Sequence, residues 1–125
     1  MSKQLFLEQN LKEGEMYAGL ILGRNGESDY HLVLLAATPA KDLNWQAALD
    51  WAKSVGGDLP TRNERSMLLA NVSEQFNRAW HWSNTTYADD SGYAWMHDFS
   101  GGGQLYLHKS NECSARAVRR IYIEE

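Results

Sequence analysis

Between Val55 and Arg65 the chain reads Gly56-Gly57-Asp58-Leu59-Pro60-Thr61-Arg62-Asn63-Glu64, a stop followed by a start. Glycine enters the left-handed region at a helix C-cap without penalty, so Gly56-Gly57 ends whatever helix precedes it. Pro60 disfavours helix in the residue before it. Thr61 and Glu64 then have capping-box spacing: the hydroxyl accepts from the amide of Glu64, and the carboxylate reaches back to the amide of Thr61. Two separate helices must flank this stretch. Upstream, Trp45, Ala48, Leu49, Ala52 and Val55 recur at three- and four-residue spacing and predict a helix over 44–55, with Trp51 off its apolar stripe. Downstream, Met67, Leu68 and Val72 give a shorter buried face that fades around 71–73.

On either side of the helices the pattern is that of strands. Residues 17–23 and 30–37 are apolar, β-favouring runs divided by Arg24-Asn25-Gly26-Glu27-Ser28-Asp29, which predicts a hairpin. The second run is almost continuously apolar, as expected of a strand covered on both faces. After Ala79, strands are expected over 79–83, 93–99, 104–109 and 115–123. Residues 84–92 form a polar connection, and Ser100-Gly101-Gly102-Gly103 a turn. The class is α+β: an N-terminal β-hairpin, two helices, then antiparallel strands. At 125 residues the chain fits one domain, 1–125, with its core within about 14–123.

Composition removes several function classes. The net charge of −4 and the confinement of the basic cluster to Arg116, Arg119 and Arg120 argue against a nucleic-acid partner. Cys113 is the only cysteine, so no intrachain disulfide, multi-cysteine zinc site or CxxC redox pair can form. No apolar run approaches the roughly 20 residues that span a bilayer, and the first residues lack the pattern of a signal peptide. A cytoplasmic or virion-associated protein with no membrane partner is expected.

Catalytic chemistry is equally sparse. Asn111-Glu112-Cys113-Ser114 offers Cys113 no base in sequence. Among His31, His81, His97 and His108, no pair has the i, i+4 spacing of a helical metal site. His97 and His108 flank the glycine-rich turn, so paired strands could bring them together, with Asp98 or Glu112 as a third ligand. Asp89-Asp90 lacks the spacing of a calcium loop. No metal, cofactor or catalytic group is expected. Glu64 and Arg119 are the charged pair of greatest interest, meeting either as a partly buried ion pair or not at all. Within 93–99, Tyr93, Trp95, His97 and Phe99 alternate with Ala94, Met96 and Asp98. The bulkier face is expected to enter the core, while Tyr87 and Tyr106 are expected at the surface.

The ordered set Trp45–Ala48, Gly56–Glu64, Trp82-Ser83, Tyr93-Ala94-Trp95, Gly103-Gln104 and Ala115–Ile121 resembles the Lcl C-terminal domain family, a bacterial and prophage family. The resemblance covers roughly residues 14–123. It implies a C-type lectin-like fold, phage or prophage origin, and a role in binding rather than a reaction. Neither the E-P-N or Q-P-D loop nor the W-N-D strand of calcium-dependent lectins is present, so binding without calcium is expected. On this reading the scaffold is marked by Trp45, Pro60, Thr61, Glu64, Trp82, Trp95, Arg116 and Arg119. The binding face is expected in the polar stretches, at Asn84, Thr85, Thr86, Tyr87, Asp89, Asp90, Tyr106, His108 and Asn111. The partner would be a glycan or a protein. The alternative is an assembly subunit of a phage particle, which would form a homo-oligomer, or a small intracellular accessory protein acting on a host factor.

Overall fold

In the computed structural model, residues 3–77, 79–99 and 102–123 are described. The elements run α1 (Lys3–Asn10), β1 (Met16–Ile21), β2 (Tyr30–Leu34), α2 (Trp45–Ser54), α3 (Arg65–Val72), a 3-10 turn (Ser73–Gln75), β3 (Trp80–Thr86), β4 (Tyr93–Asp98), β5 (Gln104–His108) and β6 (Val118–Tyr122). The strands form two three-stranded antiparallel sheets, β1-β2-β6 and β3-β4-β5. The protein is therefore α+β, with its last strand returning to pair beside the first hairpin.

The predicted elements formed for the expected reasons. Asn25 and Gly26 both take positive φ at the hairpin tip, as an Asn-Gly turn requires, and Leu32, Val33 and Leu34 of central β2 are all buried. Asn44 caps α2 by accepting from the amide of Ala47 at 2.9 Å. Gly56 ends α2 with φ of 86°, and a Cβ on Gly57 would lie 2.5 Å from the carbonyl oxygen of Val118. The capping box closes in both directions: the amide of Glu64 donates to Thr61 Oγ1 at 3.1 Å, and the amide of Thr61 to Glu64 Oε1 at 2.8 Å. It caps the turn that leads into α3. Of the predicted Ser100–Gly103 turn, Ser100 and Gly101 lie outside the described residues; the amide of Gly102 donates to Asp98 O at 2.8 Å.

Three expectations need correction. Helix α1 was not anticipated; its Phe6 packs on Tyr17 and His31. Residues 84–86 belong to β3 rather than to a connection, because a bulge between Trp82 and Thr86 absorbs polar residues without ending the strand. Glu64 does not meet Arg119. It is bound by Arg120, one residue on, through Nε at 2.7 Å and Nη2 at 2.8 Å. Successive β6 residues point to opposite faces, so Arg120, opposite Leu32, turns towards Glu64, while Arg119, opposite Val33, turns towards Glu15 at 2.7 Å. That contact also holds the Glu15 carboxyl below its usual range.

The stop-and-start segment thus becomes a clamp between the sheets. Glu64, fully buried, also accepts from the Tyr30 hydroxyl at 2.6 Å. Arg120 reaches Asp58 at 2.8 Å, and Asp58 in turn accepts from Asn84 Nδ2 at 3.0 Å. Strands β2 and β6 of one sheet and β3 of the other are held by one network. Apolar packing completes the join: one cluster gathers Trp82, Ala94 and Met96 against Ala48 and Ala52 of α2, and another gathers Leu32, Leu34, Leu68, Phe76 and Phe99. Pro60 is fully buried, and the Trp82 indole donates to Leu43 O at 2.8 Å. Buried Arg116 donates to Gln75 O and, at 2.9 Å, to Leu35 O.

Candidate functional site

The second sheet has two unlike faces. Trp82, Ala94, Met96, Leu105 and Leu107 line the side packed on α2. Register places the other side: Trp95 opposite Tyr106, Tyr93 opposite His108, and His97 between His81 and Gln104. The bulkier face of β4 is therefore split: His97 and Phe99 are buried as expected, whereas Tyr93 and Trp95 are half-buried and lie outside both core clusters, contrary to expectation. The space beneath α2 is already filled by Trp82, and only the small or linear Ala94 and Met96 fit there. Trp95 is a half-buried member of the outer face rather than a core residue.

That outer face is a layer of rings. Tyr87 stacks on Tyr106 with centroids 3.9 Å apart and 10° between planes. Trp95 meets both edge-on, at 5.6 and 5.5 Å, and Tyr93 meets Tyr106 and His108 edge-on. The Tyr87 hydroxyl donates to Tyr106, which favours the neutral phenol and raises the pKa of Tyr87. Tyr106 is 46% exposed. At the rim lies exposed Arg62, whose guanidinium carbon sits 3.5 Å from the Trp95 ring centre. Its Nε donates to Gln104 Oε1 at 2.9 Å, and its amide donates to Thr85 Oγ1 at 3.0 Å. Nη1 and Nη2 meet no partner among the described residues, so the stacked guanidinium presents a fixed pair of donors.

The expected site residues divide into three groups. Tyr87, Tyr106 and His108 share the ring face, and Thr85 supports Arg62 beside it. Asp89, Asp90 and Asn111 are exposed in adjoining turns; Asp90 accepts from the amide of Gly92 at 2.9 Å, and Asn111 donates to His108 O at 3.1 Å. Asn84 is turned inward to Asp58, and Thr86 accepts from Lys109 Nζ at 3.0 Å. That Lys109 lies over Trp45, whose indole donates to Ser83 O at 2.9 Å. These two belong to the scaffold. Sequence reading missed Arg62, Tyr93 and Trp95 as site residues, whereas Gln104 lies on the edge 104–111 that was expected to belong to the binding face. The signal available was the two-residue alternation of β4, which defines two faces without saying which one is covered.

Other chemistry is not assembled. His97 and His108 oppose Gln104 and Tyr93, four positions apart on β4 or about 13 Å along it, so they cannot share a metal. Among the described residues no group of three His, Cys, Asp or Glu side chains could hold an ion. Burial pushes the Cys113 thiol up to about 11, the reverse of an activated nucleophile. Cys113 is therefore expected to react with iodoacetamide at pH 8 far more slowly in the folded than in the urea-unfolded chain; equal rates would show an open thiol. A groove of about 780 Å³ beside β1 is lined by Leu20, Leu22, Tyr30, Met67, Arg120 and Tyr122, but Tyr30 and Arg120 are already committed to Glu64. No helix among the described residues is long and apolar enough to cross a membrane. No family model matches the chain, and no curated protein matches it.

Proposed function

We propose that this chain is a non-enzymatic recognition module of C-type lectin-like fold, and that it binds a glycan, without calcium, on the ring face of the second sheet. The fold assignment is supported by the pairing of the last strand with the first hairpin, the two helices after that hairpin, and the separate second sheet. The observation that carries the functional reading is the outward layer of Tyr87, Tyr93, Trp95 and Tyr106, of which Tyr106 is exposed and the other three are half-buried. The apolar clusters lie elsewhere, so folding does not require four large rings on this side. Ring faces bordered by donors suit a pyranose, whose C–H face packs on aromatics while its hydroxyls take hydrogen bonds. Arg62 would supply donors to a ligand oxygen, and His108 and Gln104 would complete the rim.

A glycan array probed with the labelled chain is expected to give a restricted set of ligands. The double substitution Tyr87→Ala with Tyr106→Ala is expected to weaken binding about tenfold or more, a loss of about 1.4 kcal/mol or more. Unchanged affinity in a folded double variant would remove this face from the binding site. Capture of a protein on the same face, sensitive to the same substitutions and with no glycan bound, would replace the sugar by a protein partner.

A further inference from the structure

Each sheet has two edges, and three of the four are obstructed. Strand β1 is broken by a register shift between Tyr17 and Gly19, and the carbonyl of Ala18 there accepts from Asn71 Nδ2 at 2.6 Å. Asp58 exchanges backbone hydrogen bonds of 2.8 and 2.9 Å with Val118 of β6, whose next two residues are Arg119 and Arg120. Ser114 covers β3 by bonding the backbone of Trp80 and Trp82, and the amide of Asn84 donates to Pro60 O.

Strand β5 is open. The amide of Asp98 donates to Gly103 O at 3.0 Å, and the amide of Lys109 donates to Gly92 O at 2.9 Å. By alternation Leu105 and Leu107 also direct their backbone groups to β4, while Gln104, Tyr106 and His108 direct theirs away from the sheet. Among the described residues, nothing pairs with the outward backbone groups of Gln104 and Tyr106. Natural edges are commonly protected by charged side chains, bulges or proline. Gln104-Leu105-Tyr106-Leu107-His108 has none of these. It also reads nearly the same in both directions: polar, Leu, Tyr, Leu, polar.

We infer that β5 is a self-association edge, at which two copies of this chain pair antiparallel about a twofold axis through Tyr106. Antiparallel pairing of a symmetric segment makes every contact self-complementary, as a twofold interface requires. Tyr106 faces Tyr106 of the second copy and exchanges two backbone hydrogen bonds with it. Leu105 meets Leu107 on the core side, where side chains of non-hydrogen-bonded pairs approach most closely. Gln104 meets His108, giving an amide a ring nitrogen to bond. The two sheets become one of six strands, and the two ring faces become one continuous surface. The occupant is a second copy rather than a foreign peptide because the edge complements itself. A chain that binds no sugar would still pair in this way, so the inference stands apart from the glycan reading.

The strand and its flanking rings are small beside the ~1,200–2,000 Å² of standard interfaces, so association is expected to be reversible and concentration dependent. Sedimentation equilibrium of the full chain across the micromolar range is expected to show a rise from one chain mass to two. Gln104→Glu with His108→Glu sets like charges opposite each other at both ends and is expected to weaken the dimer about tenfold or more. Gln104→Glu with His108→Lys sets opposite charges there and is expected to keep it. Both variants retain an acceptor for Arg62, and circular dichroism checks that they fold. A wild-type chain of single mass at every concentration would overturn the proposal. So would two variants that associate equally, because the interface would then lie elsewhere or pair in another register.

Discussion

Arg120→Ala is expected to cost about 3–5 kcal/mol of folding stability, because it strands the Glu64 carboxyl, fully buried, without its cation. Burying a charge is tolerable only when its partners replace water, and here Arg120 supplies two of the four hydrogen bonds that Glu64 accepts. The loss is expected to propagate, since Asp58 would lose its ion pair and Asn84 would be left as its remaining side-chain donor. Arg119→Ala is the natural control. The two arginines are similarly buried, but its partner Glu15 keeps some contact with water where Glu64 has none, so a smaller loss is expected. Urea unfolding of the two variants compares them directly. Equal losses would mean that the network around Glu64 is not the joint between the sheets. Removing both partners, with Glu64→Gln and Arg120→Met, is expected to recover part of the loss, as buried pairs replaced by neutral groups often do.

Acid is expected to begin destabilising this protein well above the pH at which carboxylates titrate. His97 is fully buried with no partner for either ring nitrogen among the described residues, and burial pushes it down to about 3. Burial likewise lowers His81, its neighbour across β3 and β4, to about 4. In the unfolded chain both bind a proton near 6.5. The unfolded state therefore holds more protons below that pH, and stability falls with acid. The contribution is fully present above about 6.5 and is lost at up to about 1.4 kcal/mol per pH unit for each histidine as the pH falls towards 4. Glu15, whose pKa is lowered by Arg119, loses its contribution only below its unfolded value of 4.5, where most of the histidine contribution has already gone. His97→Leu is expected to remove about half of the slope between pH 6 and 4. It is also expected to raise stability at pH 7 by about 1 kcal/mol, because an unpaired polar group leaves the core. Urea unfolding at several pH values measures both effects. A slope unchanged by His97→Leu would show that the ring is not kept neutral by burial.

Both predictions turn on residues whose importance sequence reading judged unevenly. Thr61 and Glu64 were legible as a capping box, and the box formed as the spacing required. That Glu64 meets an arginine of the last strand was one of two readings left open, and the arginine that binds it is Arg120, one position from the Arg119 considered. In a strand, one position is a change of face, and adjacent arginines give no local sign of which one turns inward. The aromatic face shows the same limit. Tyr87 and Tyr106 could be placed at the surface by their polar surroundings, whereas Trp95 could not, since both sides of β4 are apolar enough to be buried. His97 looked like an ordinary strand histidine and proved to be the most completely enclosed of the four.

What the sequence determined by itself was local. Helix limits at Asn44 and Gly56, the cap at Thr61, the Asn25-Gly26 turn and the α+β order follow from backbone preferences and periodicity, which act over a few residues. What only the tertiary structure decided was the choice between faces and partners: Arg120 rather than Arg119, Ala94 and Met96 rather than Tyr93 and Trp95, and Arg62 beside the rings. Those choices depend on which volume is already filled and which charge lies across the fold. The stop-and-start segment shows both levels at once, since its glycines and cap are written locally while its role as the clamp between two sheets exists only where Tyr30, Asn84 and Arg120 converge on Asp58 and Glu64.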